Sequence, residues 1–152
     1  DAVEFVGPYD DEKLGFHKVA KYYYYPGWWE GGAQLSTMVN LKEWEKLSKE
    51  HQNILEAACW EANGWMLAKY DAVNPGGLRR LVAQGAQLKA FPLPVMEAAL
   101  KAAEEYYAET SAKSPDFKKG YDSMVAFRGE NLLWWQIAEL SYDSFMNRLK
   151  AR

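Results

Sequence analysis

Tyr22-Tyr23-Tyr24-Tyr25-Pro26-Gly27-Trp28-Trp29-Glu30-Gly31-Gly32 is the stretch whose reading decides the fold. Four consecutive β-formers run into Pro-Gly punctuation, and two indoles and a carboxylate follow in front of a second pair of glycines. The pattern predicts a strand over 20–25 that delivers large side chains to a rim. Aromatic walls with a few placed polar groups are how proteins line small-molecule pockets. The plainer reading, a buried aromatic strand and a tight turn, stands beside it at this point.

Upstream, the alternation Ala2-Val3-Glu4-Phe5-Val6 predicts a short strand over 2–6, stopped by Gly7-Pro8. Binding sites in open α/β sheets gather at strand ends, so pairing that strand with the tyrosines makes Glu4, Phe5 and Tyr9 candidate site residues. Asp10-Asp11-Glu12 predicts a short helix over 11–15, with the acids at its solvated start. Downstream, moderate alternation predicts a strand over 33–39, after which Asn40 caps one helix and Ser48 opens the next.

In that second helix Ile54, Leu55, Ala58, Ala62, Trp65 and Met66 form an apolar stripe expected to pack in the core. Asn74-Pro75-Gly76-Gly77 is expected to break the helix, since proline removes a hydrogen bond and crowds the preceding turn. Helix resumes at Leu78 and stops at Gly85, and a strand follows over 87–91, bounded by Pro92 and Pro94. Helical spacing then covers 95–112, and helix formers fill 116–152 with interruptions at Gly120 and Gly129. These elements make an α/β fold in which a mixed sheet is covered by the helices after Asn40. The stretch 130–140 carries apolar groups on more than one face and needs cover on nearly all sides.

Composition narrows the function classes. The 152 residues suit one domain, and 49% hydrophobic with 26% charged residues is an ordinary globular composition. Eighteen basic against 21 acidic residues leave no positive excess to neutralise phosphates, so no nucleic acid is expected as a partner. Seven Trp and ten Tyr point to a small-ligand binder or an interaction surface. The single cysteine, Cys59, has no intrachain disulfide partner and is expected to be a buried structural thiol. No apolar run approaches the roughly 18 residues of a membrane span, and no secretory leader stands at the start.

Catalytic signatures are missing: there is no phosphate loop, dinucleotide glycine fingerprint, nucleophile elbow or metal-spaced His/Cys pair. His17 lacks the partners that metal or triad chemistry requires. The chain is therefore not expected to be an enzyme. The alternative is an aromatic-rich α/β enzyme or interaction domain without a recognisable catalytic motif.

The residues also carry a family likeness. Phe5-Val6-Gly7-Pro8-Tyr9-Asp10-Asp11, Leu14-Gly15-Phe16-His17-Lys18-Val19-Ala20 and residues 22–32 resemble the C-terminal half of the solute receptors of tripartite ATP-independent periplasmic (TRAP) transporters. The likeness continues through Val39-Asn40, Ala57-Ala58, Asn63 and residues 78–85, and it is nearest the subgroup that binds 2-oxoacids and related organic carboxylates. It implies one lobe of a periplasmic-binding-protein-like fold plus a long C-terminal helix: residues 1–129 as the C-terminal ligand-binding lobe, 130–152 as a terminal helix for interlobe or dimer packing. Such receptors have two lobes, so most of the N-terminal lobe is expected to lie outside this chain.

The resemblance further implies a periplasmic receptor that holds a small organic acid in an interlobe cleft and delivers it to the transporter's membrane subunits. A metal cation, sodium or calcium, bridges to the ligand carboxylate, and an arginine from the other lobe assists. By position Glu30 matches the family's carboxylate ligand, and the Glu4-Phe5 segment matches its main-chain carbonyl, making Phe5 and Glu30 the metal set. Trp28 and Trp29 become pocket walls and complete the substrate-binding set with Glu4, Phe5 and Tyr9. Two positions depart from the pattern: relatives usually have tryptophan at Phe5 and often histidine at Trp29. Some receptors of this type dimerise by exchanging the terminal helix, which implies a homodimer here.

Overall fold

Gly7 closes the extended N-terminal segment and Pro8 opens the first helix in the computed structural model, which describes residues 2–28, 32 and 35–150. Proline suits this place because its missing N–H would be an orphan in the first turn anyway. Helix α1, Pro8–Leu14, has Asp10 and Asp11 in its first turn and Lys13 in its last, matching the helix dipole. It starts three residues before the expected 11–15, because Gly7-Pro8 begins a helix and does not merely end a strand. A single 3₁₀ turn, Phe16–Lys18, leads to strand β1, Tyr22–Tyr25. The remaining elements are α2 (Leu41–Lys46), α3 (Lys49–Ala83), β2 (Gln87–Ala90), α4 (Leu93–Lys113) and α5 (Pro115–Lys150).

Strands β1 and β2 pair in parallel with Tyr22 opposite Gln87 and Tyr25 opposite Ala90. Parallel neighbours need a long crossover, which α2 and α3 supply. Neither the strand expected over 2–6 nor, among the described residues, the one expected over 33–39 forms: residues 2–6 and 35–39 carry no ladder, and residues 33 and 34 lie outside the described residues. Alternation is only a permissive signal, and a short segment becomes a strand only where an edge accepts it. The caps behave as expected, with Asn40 Oδ1 accepting the Lys42 N–H at 3.0 Å and Ser48 Oγ the His51 N–H at 3.2 Å.

The expected break at Asn74-Pro75-Gly76-Gly77 is corrected by the structure. Helix α3 runs unbroken through Pro75. The tetrapeptide is where α1 docks: Asn74 Oδ1 accepts the Tyr9 N–H at 3.1 Å, satisfying a first-turn donor of α1. A Cβ on Gly77 would stand 2.9 Å from both Tyr9 N and Tyr9 Cα, so only glycine lets the two backbones approach this closely. Gly77→Ala should accordingly cost at least the ~1–3 kcal/mol typical of overpacking. Chemical denaturation would check this, and an unchanged midpoint would show that α1 can be displaced freely.

Beyond this contact α3 ends in a Schellman motif. Gly85, at φ 98°, donates to the Val82 carbonyl and the Ala86 N–H to that of Leu81, both at 3.0 Å. Leu81 (1% exposed) and Ala86 are the buried apolar residues of the described chain, so the core sits where this turn feeds β2. The stripe expected to pack along the first half of α3 is largely open. Ile54 and Trp65 are exposed, as is neighbouring Trp60 at 77%. Helical spacing identifies an apolar face but not its cover, and α1 reaches only the second half of the helix.

The chain divides into two units, Asp1–Met96 and Glu97–Arg152. In the second, Tyr107 of α4 meets Tyr121 and Phe117 of α5 at ring separations of 5.0 and 6.4 Å. Ser114 caps α5 by accepting the Phe117 N–H at 3.2 Å. That helix passes through Gly120 and Gly129 without interruption. The accessible area is 12844 Å², well above the roughly 9,500 Å² expected of two separate compact bodies of the same total mass. Exposed apolar side chains contribute to it, both on the helices, as at Trp60, Trp65, Leu133 and Ile137, and outside them, as at Val19 and Met38.

Candidate functional site

Because β1 and β2 are parallel, their carboxyl ends open at one edge, and there the aromatic groups collect. The Phe91 N–H donates to the Tyr25 carbonyl at 2.8 Å, extending the pairing one residue past β2. Tyr24 stacks on Phe91 with centroids 4.9 Å apart and planes 28° from parallel. Beyond the strand the Tyr25–Pro26 peptide is cis, and Trp28 follows at 42% exposure. Phe91 is a rim residue that the sequence reading did not name; an aromatic group at a strand end bounded by prolines was the available sign.

The other expected site residues fall in different surroundings. Phe5 is exposed and meets Phe16 edge-on at 6.0 Å. Glu4 is exposed but near enough to Asp11 for its charge to help raise that carboxyl's pKa. Tyr9 turns toward Lys13, whose Nζ donates to the phenol oxygen at 2.6 Å and lies 3.8 Å from the ring centroid. Trp29 and Glu30 lie outside the described residues. Among the described residues no group of three or more His, Cys, Asp or Glu could hold a metal ion, and no helix is long and apolar enough to cross a membrane.

Electrostatics centre on the three acids expected to be solvated, and each engages a different partner. Asp10 Oδ2 accepts from Tyr70 at 2.7 Å, Asp11 Oδ2 from Tyr23 at 2.5 Å, and Glu12 takes Arg80 Nε at 2.8 and 2.9 Å. Asp11 is 7% exposed, and its Oδ1 has no hydrogen-bond partner. Burial pushes its pKa up against the lowering bond from Tyr23, with the charges of Asp10 and Glu4 adding to the rise. Burial also raises the Tyr23 phenol, reinforced by its bond to Asp11, so Tyr23 stays a hydrogen-bond donor at any ordinary pH. For a raised pKa the folded state holds the proton longer, so Tyr23's contribution to stability is complete below the ordinary tyrosine range and lost as pH rises above it. Glu12 moves the other way: the bond from Arg80 holds it below the usual carboxylate range, a contribution complete above that range and lost as pH falls below it through the lowered value.

Cys59 is half-buried, not fully buried as expected, and helps line a hollow of about 200 Å³ with Thr37, Val39, Trp44, Leu55, Glu56 and Trp60. A parallel strand pair with aromatic groups at its carboxyl ends, flanked by long helices with open apolar faces, defines one lobe of a periplasmic-binding-protein-like α/β fold. The chain belongs to the family described as bacterial extracellular solute-binding protein, family 7, which residues 1–114 match. This is a family of solute-binding receptors and not an enzyme family.

Three relatives give the family likeness detail. The chain is 47% identical over 145 residues to a monocarboxylate 2-oxoacid-binding periplasmic protein of a Nostoc species, covering 95% of this chain and 40% of that protein. It superposes with a TM-score of 0.95, at 49% identity, on a TRAP transporter solute-binding protein from Bordetella bronchiseptica RB50, covering 100% of this chain and 45% of that one. That crystal contained a mixed-occupancy dimer, one active site with copurified calcium and picolinate and the other apo. A TRAP periplasmic solute-binding protein from Pseudoalteromonas atlantica T6c, with bound sodium and pyruvate, superposes at 0.89 with 34% identity, over 95% of this chain and 44% of that one. The chain thus spans less than half the length of each relative.

Proposed function

We propose that this chain forms the C-terminal lobe of a TRAP transporter solute receptor that binds a small monocarboxylate of the 2-oxoacid class in an interlobe cleft. Residues 1–129 carry the ligand-binding lobe, and 130–152 are the packing segment of the terminal helix. The observation that carries this reading is the TM-score of 0.95 over the whole chain with a receptor crystallised with calcium and picolinate. The rim of Tyr24, Trp28 and Phe91 supports it, being the aromatic wall against which a small planar acid would rest. The receptor works in the periplasm and passes its acid to the transporter's membrane subunits; it performs no catalysis.

A hard cation, calcium or sodium, bridges protein and ligand carboxylate in this proposal. The donor set fits in kind: the Glu30 carboxylate and the Phe5 main-chain carbonyl are oxygen donors of the type such ions take. Among the described residues no group of three or more His, Cys, Asp or Glu could hold a metal ion; in this proposal the ligand carboxylate and the opposite lobe complete the coordination. Glu4, Tyr9, Trp28 and Trp29 complete the proposed surroundings of the acid. The protein is proposed to act as a homodimer through its terminal helix.

Calorimetry with pyruvate on the intact two-lobed protein tests the reading. Binding should be clear with calcium or sodium, at least about tenfold weaker in sodium-free buffer after calcium is chelated, and restored on adding either ion back. Absence of pyruvate binding in every cation state would overturn the assignment.

A further inference from the structure

We infer that Asp11 and Tyr23 are positioning residues for the ligand rim, their part-buried hydrogen bond tying β1 and the turn that follows it to the body formed by α1 and α3. What the rim binds rests on the proposed function; the tether rests on geometry alone. β1 and β2 are four residues each in a two-stranded sheet, and such a pair is marginal by itself. Its faces are thinly covered, with Tyr22, Tyr24, Tyr25 and Leu88 all exposed. The buried turn at Ala86 holds β2 to α3, whereas β1 is joined to β2 by a ladder of only four residues.

The other ring contacts of β1 run back to β2 and its extension. Tyr24 stacks on Phe91, and Lys89 Nζ lies 5.9 Å from the Tyr22 ring centroid. Among the described residues, Tyr23 to Asp11 is the side-chain hydrogen bond that joins β1 to a helix. Of four chemically identical side chains in the strand, Tyr23 alone is not exposed, the other three standing at 50–59%, and the Asp11 it meets is 7% exposed. At 2.5 Å this is a strong anchor for a strand whose next residues lead into the rim.

Helix α1 can serve as the fixed point because three further ties lock it to α3. They are the Tyr9 N–H on Asn74, Asp10 on Tyr70, and Glu12 on Arg80. At Gly77 the two backbones are in close contact, a Cβ there standing 2.9 Å from Tyr9 N and Cα. Three consecutive acids thus divide the work: the outer two hold α1 to α3, and the middle one holds the strand. Losing the middle contact frees the strand end at Tyr25, and the displacement is passed to Trp28.

Four variants of the intact receptor test this: Asp11→Ala, Asp11→Asn, Tyr23→Phe and the double variant Asp11→Ala/Tyr23→Phe. Amide hydrogen exchange at residues 24–28, which needs no ligand, is read beside calcium-dependent pyruvate affinity. Asp11→Ala and Tyr23→Phe should each speed exchange there and weaken pyruvate by about tenfold, the lower end of what losing a hydrogen bond to a charged group costs. The double variant should be no weaker than the worse single one, because both remove the same tie. Asp11→Asn keeps an oxygen that accepts the Tyr23 hydroxyl and should remain within about threefold of the unmodified receptor. A lower melting temperature with unchanged exchange at 24–28 and unchanged affinity would make the bond merely structural and overturn the inference. If the unmodified receptor binds no carboxylate while exchange responds as stated, the proposed function fails and the tether stands.

Discussion

Replacing Glu30 by Gln in the intact receptor is expected to lower pyruvate affinity in calcium by at least about 100-fold, equivalent to about 2.7 kcal/mol. It should also abolish most of the difference made by chelation. The size follows from what the substitution removes. A carboxylate offers a hard cation a full charge and two oxygens at about 2.3–2.6 Å, whereas the amide offers one neutral carbonyl. Even at an effective dielectric constant near 20, a charge pair at such separations is worth several kcal/mol. Without that charge the cation is held too weakly to bridge, and the acid faces an uncompensated desolvation. Affinity within about threefold of the unmodified receptor, with the cation requirement intact, would remove Glu30 from the ligand set.

The parts of the fold legible in the sequence were those where local chemistry and tertiary packing agree. The tyrosine run has no helical competitor and is bounded by Pro26, so β1 was readable, as was the segment of β2 before Pro92. Asn40 and Ser48 have short side chains placed to accept a first-turn N–H, and each cap formed. At Asn74-Pro75-Gly76-Gly77 local chemistry and packing disagree. Locally the tetrapeptide breaks helices, but the docked α1 turns the glycine into a contact surface and the asparagine into a cap for a neighbouring helix. Nothing in the local spacing reports an element more than sixty residues away.

The three acids show the same limit at the level of the site. Adjacent carboxylates at a helix start are ordinarily solvated, and only the fold brings Tyr23, Tyr70 and Arg80 to them from separate elements. The rim was legible in part. Trp28 was named from the sequence and stands exposed at the strand's exit, whereas Phe91 joins it only through the parallel pairing. The apolar stripe of α3 was legible as a face, but helical spacing carries no information on what covers a face, and Ile54 and Trp65 stand exposed.

Truncating the intact receptor after Gly129 is expected to convert a dimer into a monomer. In the last two-thirds of α5, Leu132, Leu133, Trp134, Trp135, Ile137, Leu140 and Phe145 are all exposed, Ile137 at 72%. They occupy every side of the helix, so no single surface can cover them. Each large apolar side chain left in water forgoes roughly 1.5–3 kcal/mol, and together they exceed the whole stability of many domains. Gly129 points the same way: a glycine inside a helix costs about 0.5–1 kcal/mol relative to alanine, yet among the described residues nothing beyond its chain neighbours and its own helix backbone stands within 4 Å of where its Cβ would be. A second surface that approaches this helix closely accounts for both features. In the proposed homodimer that surface comes from the partner, and exchange of a terminal helix is a low-cost route to a symmetric interface. The competing arrangement lays the helix over the other lobe of its own chain, and sedimentation separates the two. A dimer that dissociates on truncation supports exchange between protomers, whereas a monomer both before and after truncation places the helix on its own second lobe.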